Sequence, residues 1–329
     1  MPELIIYGAT GYSGRLVSEE AKRKGLDFLI AGRTETHLRD LGASLSVEYR
    51  VFDLANLEKV ETALQGARVL VNCAGPYVHT GGPLINVCIK KRIHYLDISA
   101  EVEHYKLIEE RDQGAIEAGI MLLPGSGGGV AILGSLVARA VQFAEHAMSI
   151  DVALYVAGAV SRGTAITGVA SSLAGFLRRV DGKLVRANGI EVRKFDFDNG
   201  EGMVDCALFG LPDVITSWRT TRVDNMTTYV HTPKDGFLGG DPSLLPDGPT
   251  VAEREANPYH AAVIVTSQDG STRHAVLHTV NGYTFTATAT VEAARRVLSG
   301  NALPGFQTPV SVFGIDFAET IPGTTIQVL

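Results

Sequence analysis

Through the first 123 residues, short unbroken apolar runs alternate with stretches whose apolar positions recur at helical spacing. Leu4-Ile-Ile-Tyr7 is apolar and ends in glycines, and the segment from Arg15 to Lys24 reads as a helix stopped by Gly25. Further strands are predicted at Phe28–Ala31, Val47–Phe52, Val69–Asn72, Tyr95–Ile98 and Ile120–Leu123, with helices near Glu35–Leu41, Leu57–Leu64, Gly82–Lys91 and Val102–Ala118. Strands that are apolar throughout, each followed by a helix, imply an α/β fold: a doubly wound parallel sheet covered on both faces.

After Pro124 the pattern changes. A glycine cluster, Gly125-Ser-Gly-Gly-Gly129, leads into an apolar helix over Val130–Phe143, and the domain boundary is placed there. Beyond it, strands are predicted at Val152–Val156, Val185–Phe197, Met226–Val230, Ala262–Thr266 and Thr272–Thr288, with helices at Ile166–Val180 and Val291–Leu298. This half reads as a second, α+β domain on a mostly antiparallel sheet. Asp235–Pro258, rich in Gly and Pro, is expected to be a long surface loop serving as a lid or dimer contact.

A length of 329 residues suits two domains with separate cores, and 45% apolar with 20% charged residues is ordinary globular composition. The formal charge of -7 without a basic run argues against a nucleic-acid partner. Cys73, Cys88 and Cys206 are too few and too scattered for a disulfide framework, which points to a reducing, cytoplasmic setting. No leader pattern or membrane-length apolar run is visible, so no membrane association is expected.

The chemistry begins at Gly8-Ala-Thr-Gly11-Tyr-Ser-Gly14, between the first strand and the first helix. Gly8 permits the turn, Gly11 lets backbone approach a pyrophosphate, and Gly14 allows close helix packing, which together read as a dinucleotide loop. The Thr10 and Ser13 hydroxyls and Tyr12 complete the candidate phosphate site; for Ser13, helix capping is the alternative. Arg33 ends the second strand where an NAD-preferring site would carry an acid, so the expected cofactor is NADP(H), with the guanidinium on the 2′-phosphate. The plainer reading of Arg33 is a surface pair with Glu35. Asp53, after the third strand, is a candidate for the adenine edge or a helix cap.

Asn72-Cys73-Ala74-Gly75-Pro76-Tyr77 closes the fourth strand and is placed at the nicotinamide end, with Tyr77 a candidate proton donor and His79 a candidate substrate contact. Asp97, Ser99 and Glu101 follow the fifth strand, where they are expected to face substrate; capping of the next helix competes for Ser99 and Glu101. In the second domain, Arg162 and Thr164 precede a helix and form a candidate anion site, against a capping threonine. His274 and His278 have the spacing of helical metal ligands but lie in a strand pattern, so no metal is expected. No Tyr is followed by Lys at the fourth position, and no GxSxG or Walker motif occurs.

These motifs, with His94-Tyr-Leu-Asp97, Pro124-Gly125, Gly163-Thr164, Thr308-Pro309 and Gly314, resemble the saccharopine dehydrogenase-like family, which includes saccharopine reductases and trans-acting enoyl reductases. The resemblance implies a Rossmann domain binding NADP(H), formed by residues 1–125 and a C-terminal return of 290–329, with 126–289 as the substrate and dimerisation domain. It departs at Ser126-Gly-Gly-Gly129, where many relatives carry Asp-Ser. The expected function is NADPH-dependent reduction of a polarised double bond in a small molecule, with C=C and C=N both open. A homodimer is compatible with this, and a non-catalytic NADP-binding sensor is the alternative from another class.

Overall fold

The computed structural model describes residues 2–174, 176–187, 189, 191–232 and 245–329. In chain order the elements are β1 (Leu4–Tyr7), α1 (Tyr12–Arg23), β2 (Phe28–Gly32), α2 (Glu35–Leu45), β3 (Tyr49–Val51), α3 (Leu57–Ala63), β4 (Val69–Asn72), α4 (Tyr77–Lys91), β5 (His94–Asp97), α5 (Val102–Glu109), α6 (Asp112–Ala118) and β6 (Met121–Leu123). There follow α7 (Gly129–Val141), β7 (Ala147–Tyr155), α8 (Arg162–Ala174), β8 (Leu177–Val180), β9 (Lys183–Arg186), β10 (Val192–Asp196), β11 (Met203–Leu208), α9 (Asp213–Thr221) and β12 (Asn225–His231). The chain ends with α10 (Val251–Ala256), β13 (Tyr259–Ser267), β14 (Thr272–Thr279), α11 (Gly282–Leu298), β15 (Gly305–Phe306), α12 (Pro309–Phe313) and β16 (Thr325–Val328).

Two compact units result: Met1–Gly127 with Thr286–Thr308, and Gly128–Phe285 with Pro309–Leu329. The first holds a parallel sheet in the order β15-β6-β5-β4-β1-β2-β3. Its central strands β1, β2 and β4 are buried along their whole length, which explains their uniformly apolar sequence. The helix expected over Val102–Ala118 is broken into α5 and α6. Helix α4 starts at Tyr77, earlier than the expected Gly82, because the pair Gly81-Gly82 and Pro83 look like breakers but lie inside the helix. A side chain on Gly81 would meet the His104 ring at 2.1 Å, so this glycine serves helix packing instead of a turn.

The second unit holds a sheet ordered β10-β11-β12-β7-β13-β14-β16, with β8 on β12 and β9 on β8. Among the described residues, all pairs are antiparallel except β7 with β12. The strand predicted over Thr272–Thr288 stops at Thr279, and α11 follows. Alternating threonines there imitate strand periodicity, yet Asn281 accepts the Tyr283 amide at 3.1 Å and starts a helix. The helix expected to reach Val180 ends at Ala174 and gives way to β8, and the strand expected over Val185–Phe197 is divided into β9 and β10. Residues 309–329, expected to return to the first domain, belong to the second unit instead. There β16 pairs with β14, and Arg139 of α7 binds Asp316 and Glu319. The predicted loop Asp235–Pro258 lies partly outside the described residues; its described part contains α10, started by a Thr250–Glu253 capping box.

Asp213 opens α9 fully buried, and neither carboxylate oxygen has a hydrogen-bond partner among the described residues. Burial pushes its carboxyl up from 3.8 to about 7. The folded state therefore binds more protons than the unfolded chain between these values, and stability present at low pH is lost as pH rises through 7. Asp213→Asn is expected to raise stability at pH 8 by about 2–4 kcal/mol and to change it little at pH 4. Urea melts at both pH values check this; destabilisation of equal size at both would contradict it.

Candidate cofactor and active site

The glycine loop is built as a cradle. Gly8 has φ +76°, and a Cβ there would meet Ala74 at 2.8 Å, so no other residue fits. Gly14 is tighter still: its Cβ would lie 2.1 Å from the Gly8 carbonyl oxygen. Gly11 differs, since its nearest neighbour would be the Gly8 oxygen at 3.4 Å and the residue is exposed. Gly11 is also the N-cap of α1 and supplies no side-chain cap, and Ser13 lies inside the helix instead of capping it. The first-turn amides of a twelve-residue helix therefore face outward with the positive end of its dipole, as an anion requires. Tyr12 is the first helical residue, Ser13 the second, and Thr10 precedes the Gly11 cap.

Arg33 is exposed at the end of β2 and makes no ion pair or hydrogen bond among the described residues; the expected Glu35 pair does not form. It lies close enough to Tyr7 to act on its hydroxyl, which burial pushes up to about 12 against the opposing pull of Arg33. Asp53 acts on the same hydroxyl, and its own carboxylate accepts the Ala55 amide at 2.8 Å in a local turn. Arg33 and Asp53 thus flank the end of β1, on the side expected for the adenosine half of a dinucleotide.

The β4–α4 loop is organised by Asn72, to which sequence reasoning assigned no role of its own beyond ending the strand. Asn72, fully buried, accepts the Ala74 amide at 3.0 Å and donates to Tyr95 Oη at 3.1 Å and Thr80 Oγ1 at 3.2 Å. Thr80 in turn donates to the Ala74 carbonyl at 2.6 Å. A polar residue ending an otherwise apolar strand was the available signal. Gly75, Pro76 and His79 are left exposed, whereas the Cys73 thiol is buried and pushed upward by burial.

Glu101 does not cap its own helix. Its two carboxylate oxygens accept the Tyr77 and Val78 amides at 3.0 Å each, capping α4 across the sheet end. Asp97 is likewise engaged. One oxygen accepts from Ser99 N (2.9 Å), Ser99 Oγ (2.8 Å) and Gly125 N (2.9 Å), and the other meets His104 Nε2 at 2.6 Å. Burial alone would raise the Asp97 carboxyl; His104 and the Ser99 and Gly125 amides overcome it and hold the group below the ordinary range. The expected direct contact of Asp97 and Ser99 with substrate is therefore corrected: both are buried inside a hydrogen-bonded hub. Ser126 joins that hub by donating to the Asp97 carbonyl at 2.8 Å. His104, which no spacing singled out, completes it, ringed by Tyr77, Tyr95 and Tyr105.

Tyr77 is buried over this hub, and burial, followed by Cys73, Asp97, Glu101 and Tyr105, holds its hydroxyl well above the usual phenol range. Proton donation from it would leave a buried phenolate beside two carboxylates, so Tyr77 keeps its proton.

In the second unit, the Arg162 guanidinium binds Asp247 at 2.7 Å and the Leu245 carbonyl at 3.1 Å. Ser161, not Thr164, caps α8 by accepting the Thr164 amide at 3.2 Å. Thr164 Oγ1 accepts from Tyr283 at 2.9 Å. The expected anion site at this helix start is thus occupied by the protein's own groups.

A parallel sheet in this strand order, with a glycine cradle at an uncapped helix start, defines a dinucleotide-binding domain of the Rossmann type. Residues 4–123 match the saccharopine dehydrogenase NADP binding domain. The saccharopine dehydrogenase-like oxidoreductase of Homo sapiens is 30% identical over 144 residues, covering 38% of this chain and 34% of the human protein. The trans-acting enoyl reductase of Mycobacterium leprae (strain TN) is 29% identical over 107 residues, covering 30% of this chain and 26% of that protein. The matched segments span about a quarter to a third of the length of these curated relatives. In fold it is similar to saccharopine dehydrogenase (L-Glu forming) from Saccharomyces cerevisiae, with a TM-score of 0.67, 11% identity and 100% coverage of both chains.

Proposed function

We propose that the chain is an NADPH-dependent oxidoreductase that reduces a polarised double bond of a small organic substrate, with an enoyl C=C as the favoured bond. The observation that carries this reading is Arg33, exposed and unpaired at the end of β2 beside an uncapped, glycine-lined helix start. The first-turn amides of α1 would hold the pyrophosphate, Arg33 the 2′-phosphate, and the Asn72-ordered loop the nicotinamide end. Bound NADPH would supply hydride, and the chain's part is to orient and to exclude water. Asp97 and Glu101 act as positioning residues and Tyr77 as a fixed hydroxyl, so the proton is assigned to water. The engagement of Arg162 by Asp247 argues against a substrate carboxylate at that site and favours an uncharged enoyl carbonyl over saccharopine-type C=N chemistry. The three buried free cysteines are consistent with a cytosolic setting, and among the described residues no helix is long and apolar enough to cross a membrane.

A cofactor titration and a turnover assay test this. Arg33→Ala is expected to weaken NADPH binding about 30- to 100-fold, as loss of a charge-assisted phosphate contact implies, and to leave NADH within about threefold. Equal affinity of the unaltered protein for both cofactors would remove the 2′-phosphate role. NADPH consumption with an enone but not with an amine plus aldehyde supports C=C reduction. A second reading, an NADP-binding protein without turnover, is favoured by the internal engagement of Asp97 and Glu101, and predicts tight binding with no oxidation of NADPH by either substrate pair.

A further inference from the structure

The spacing of His274 and His278 puts both on one face of β14, yet the structure gives them different surroundings. His274 is exposed, and among the described residues its ring meets Thr272 Oγ1 at 3.3 Å. His278 stands directly opposite His260 in the β13–β14 pair, with their Nδ1 atoms 2.8 Å apart and their ring planes at 73°. The two rings are half-buried in the wall of a cavity of about 420 Å³ that Arg254, Glu255, Asn281 and Thr284 also line. At this separation one Nδ1 donates and the other accepts. Burial, then the neighbouring His278, holds His260 below the ordinary imidazole range.

We propose that His260 and His278 form a two-histidine site for a divalent transition cation of the Zn²⁺ class, bound through both Nδ1 atoms and open to the cavity. Imidazole is a preferred ligand for such ions, and Zn–N bonds of about 2.0–2.1 Å place two tetrahedral ligands about 3.3 Å apart. The facing nitrogens need to open by only about 0.5 Å to reach that spacing. The cation accepts a lone pair from each Nδ1, and the proton between the rings moves to Nε2 of the ring that held it. The cavity leaves room for water to fill the remaining positions. Among the described residues no third His, Cys, Asp or Glu joins the group. The other groups around the pair are Tyr155 of β7, whose ring lies 5.7 Å from His260, and Glu201, Arg254 and Glu255.

Calorimetric titration of the full chain with ZnCl₂ tests the site, with MgCl₂ and His274→Gln as controls. One Zn²⁺ per chain is expected at pH 7.5, and His260→Gln and His278→Gln should each weaken it at least about tenfold, as loss of half the protein ligands requires. His274→Gln should leave binding unchanged, and Mg²⁺ should give no heat. In the unaltered protein, imidazole ¹⁵N resonances should show both Nδ1 atoms shifting together, a readout independent of how the variants fold. Absence of a Zn²⁺ heat up to millimolar concentration, equal loss in His274→Gln, or unchanged binding in the His260 and His278 variants would overturn the proposal.

Discussion

Gly14→Ala is expected to abolish NADPH binding and to destabilise the first unit. The added methyl would sit 2.1 Å from the Gly8 carbonyl oxygen and 2.9 Å from the Ala9 Cα, both backbone atoms that no rotamer change can move aside. Helix α1 must therefore back away from β1, taking its first-turn amides out of register with the loop. A shift of this kind should cost more than about 100-fold in affinity, near 3 kcal/mol, since pyrophosphate recognition depends on several amides at once. Gly11→Ala provides the contrast. Its methyl would approach only the Gly8 oxygen, at 3.4 Å, and otherwise points outward. That variant should melt close to the unaltered protein but bind NADPH weakly, because the methyl occupies the approach of the pyrophosphate. Fluorescence titration with NADPH and thermal melts separate the two; normal binding by Gly14→Ala would contradict the cradle.

Asp97→Ala should be the most damaging change at the sheet end without touching the cofactor. The carboxylate is fully buried and serves the Ser99 amide and hydroxyl, the Gly125 amide and His104. Truncation leaves these buried donors without their acceptor, each at about 1–3 kcal/mol, and an expected total of about 3–5 kcal/mol allows for relaxation. For a unit of this size the melting transition should fall by roughly 10 °C. Asp97→Asn should recover part of this loss, since one oxygen remains to accept. Folded Asp97→Asn should bind NADPH within about threefold of the unaltered protein, as a positioning residue behind the site would. A variant that melts normally but fails to turn over would instead return Asp97 to the chemistry.

The glycine loop was legible because its requirements are local: a left-handed turn at Gly8, a close approach at Gly14 and an open face at Gly11 are each written in one residue. Arg33 was legible for a related reason, since strand β2 ends where its apolar run ends. The acidic residues were not. Glu101 caps a helix that starts 24 positions before it, and Asp97 binds a loop 28 positions after it. His104 and Gly81 depend on each other through the packing of α5 against α4, which no periodicity in either helix reveals.

The sequence by itself determined the parallel sheet of the first unit, the place of the glycine loop after β1 and the basic residue that follows β2. These rest on burial periodicity and on backbone conformations that only certain residues adopt. Only the tertiary structure decided that the alternating threonines from Thr284 to Thr290 lie in helix α11, that β16 pairs with β14, and that Asp97, Glu101 and Arg162 bind the protein's own groups. A carboxylate or guanidinium carries the same chemistry wherever it stands; whether it meets a ligand or a neighbouring amide depends on partners that are distant in the chain and adjacent only after folding.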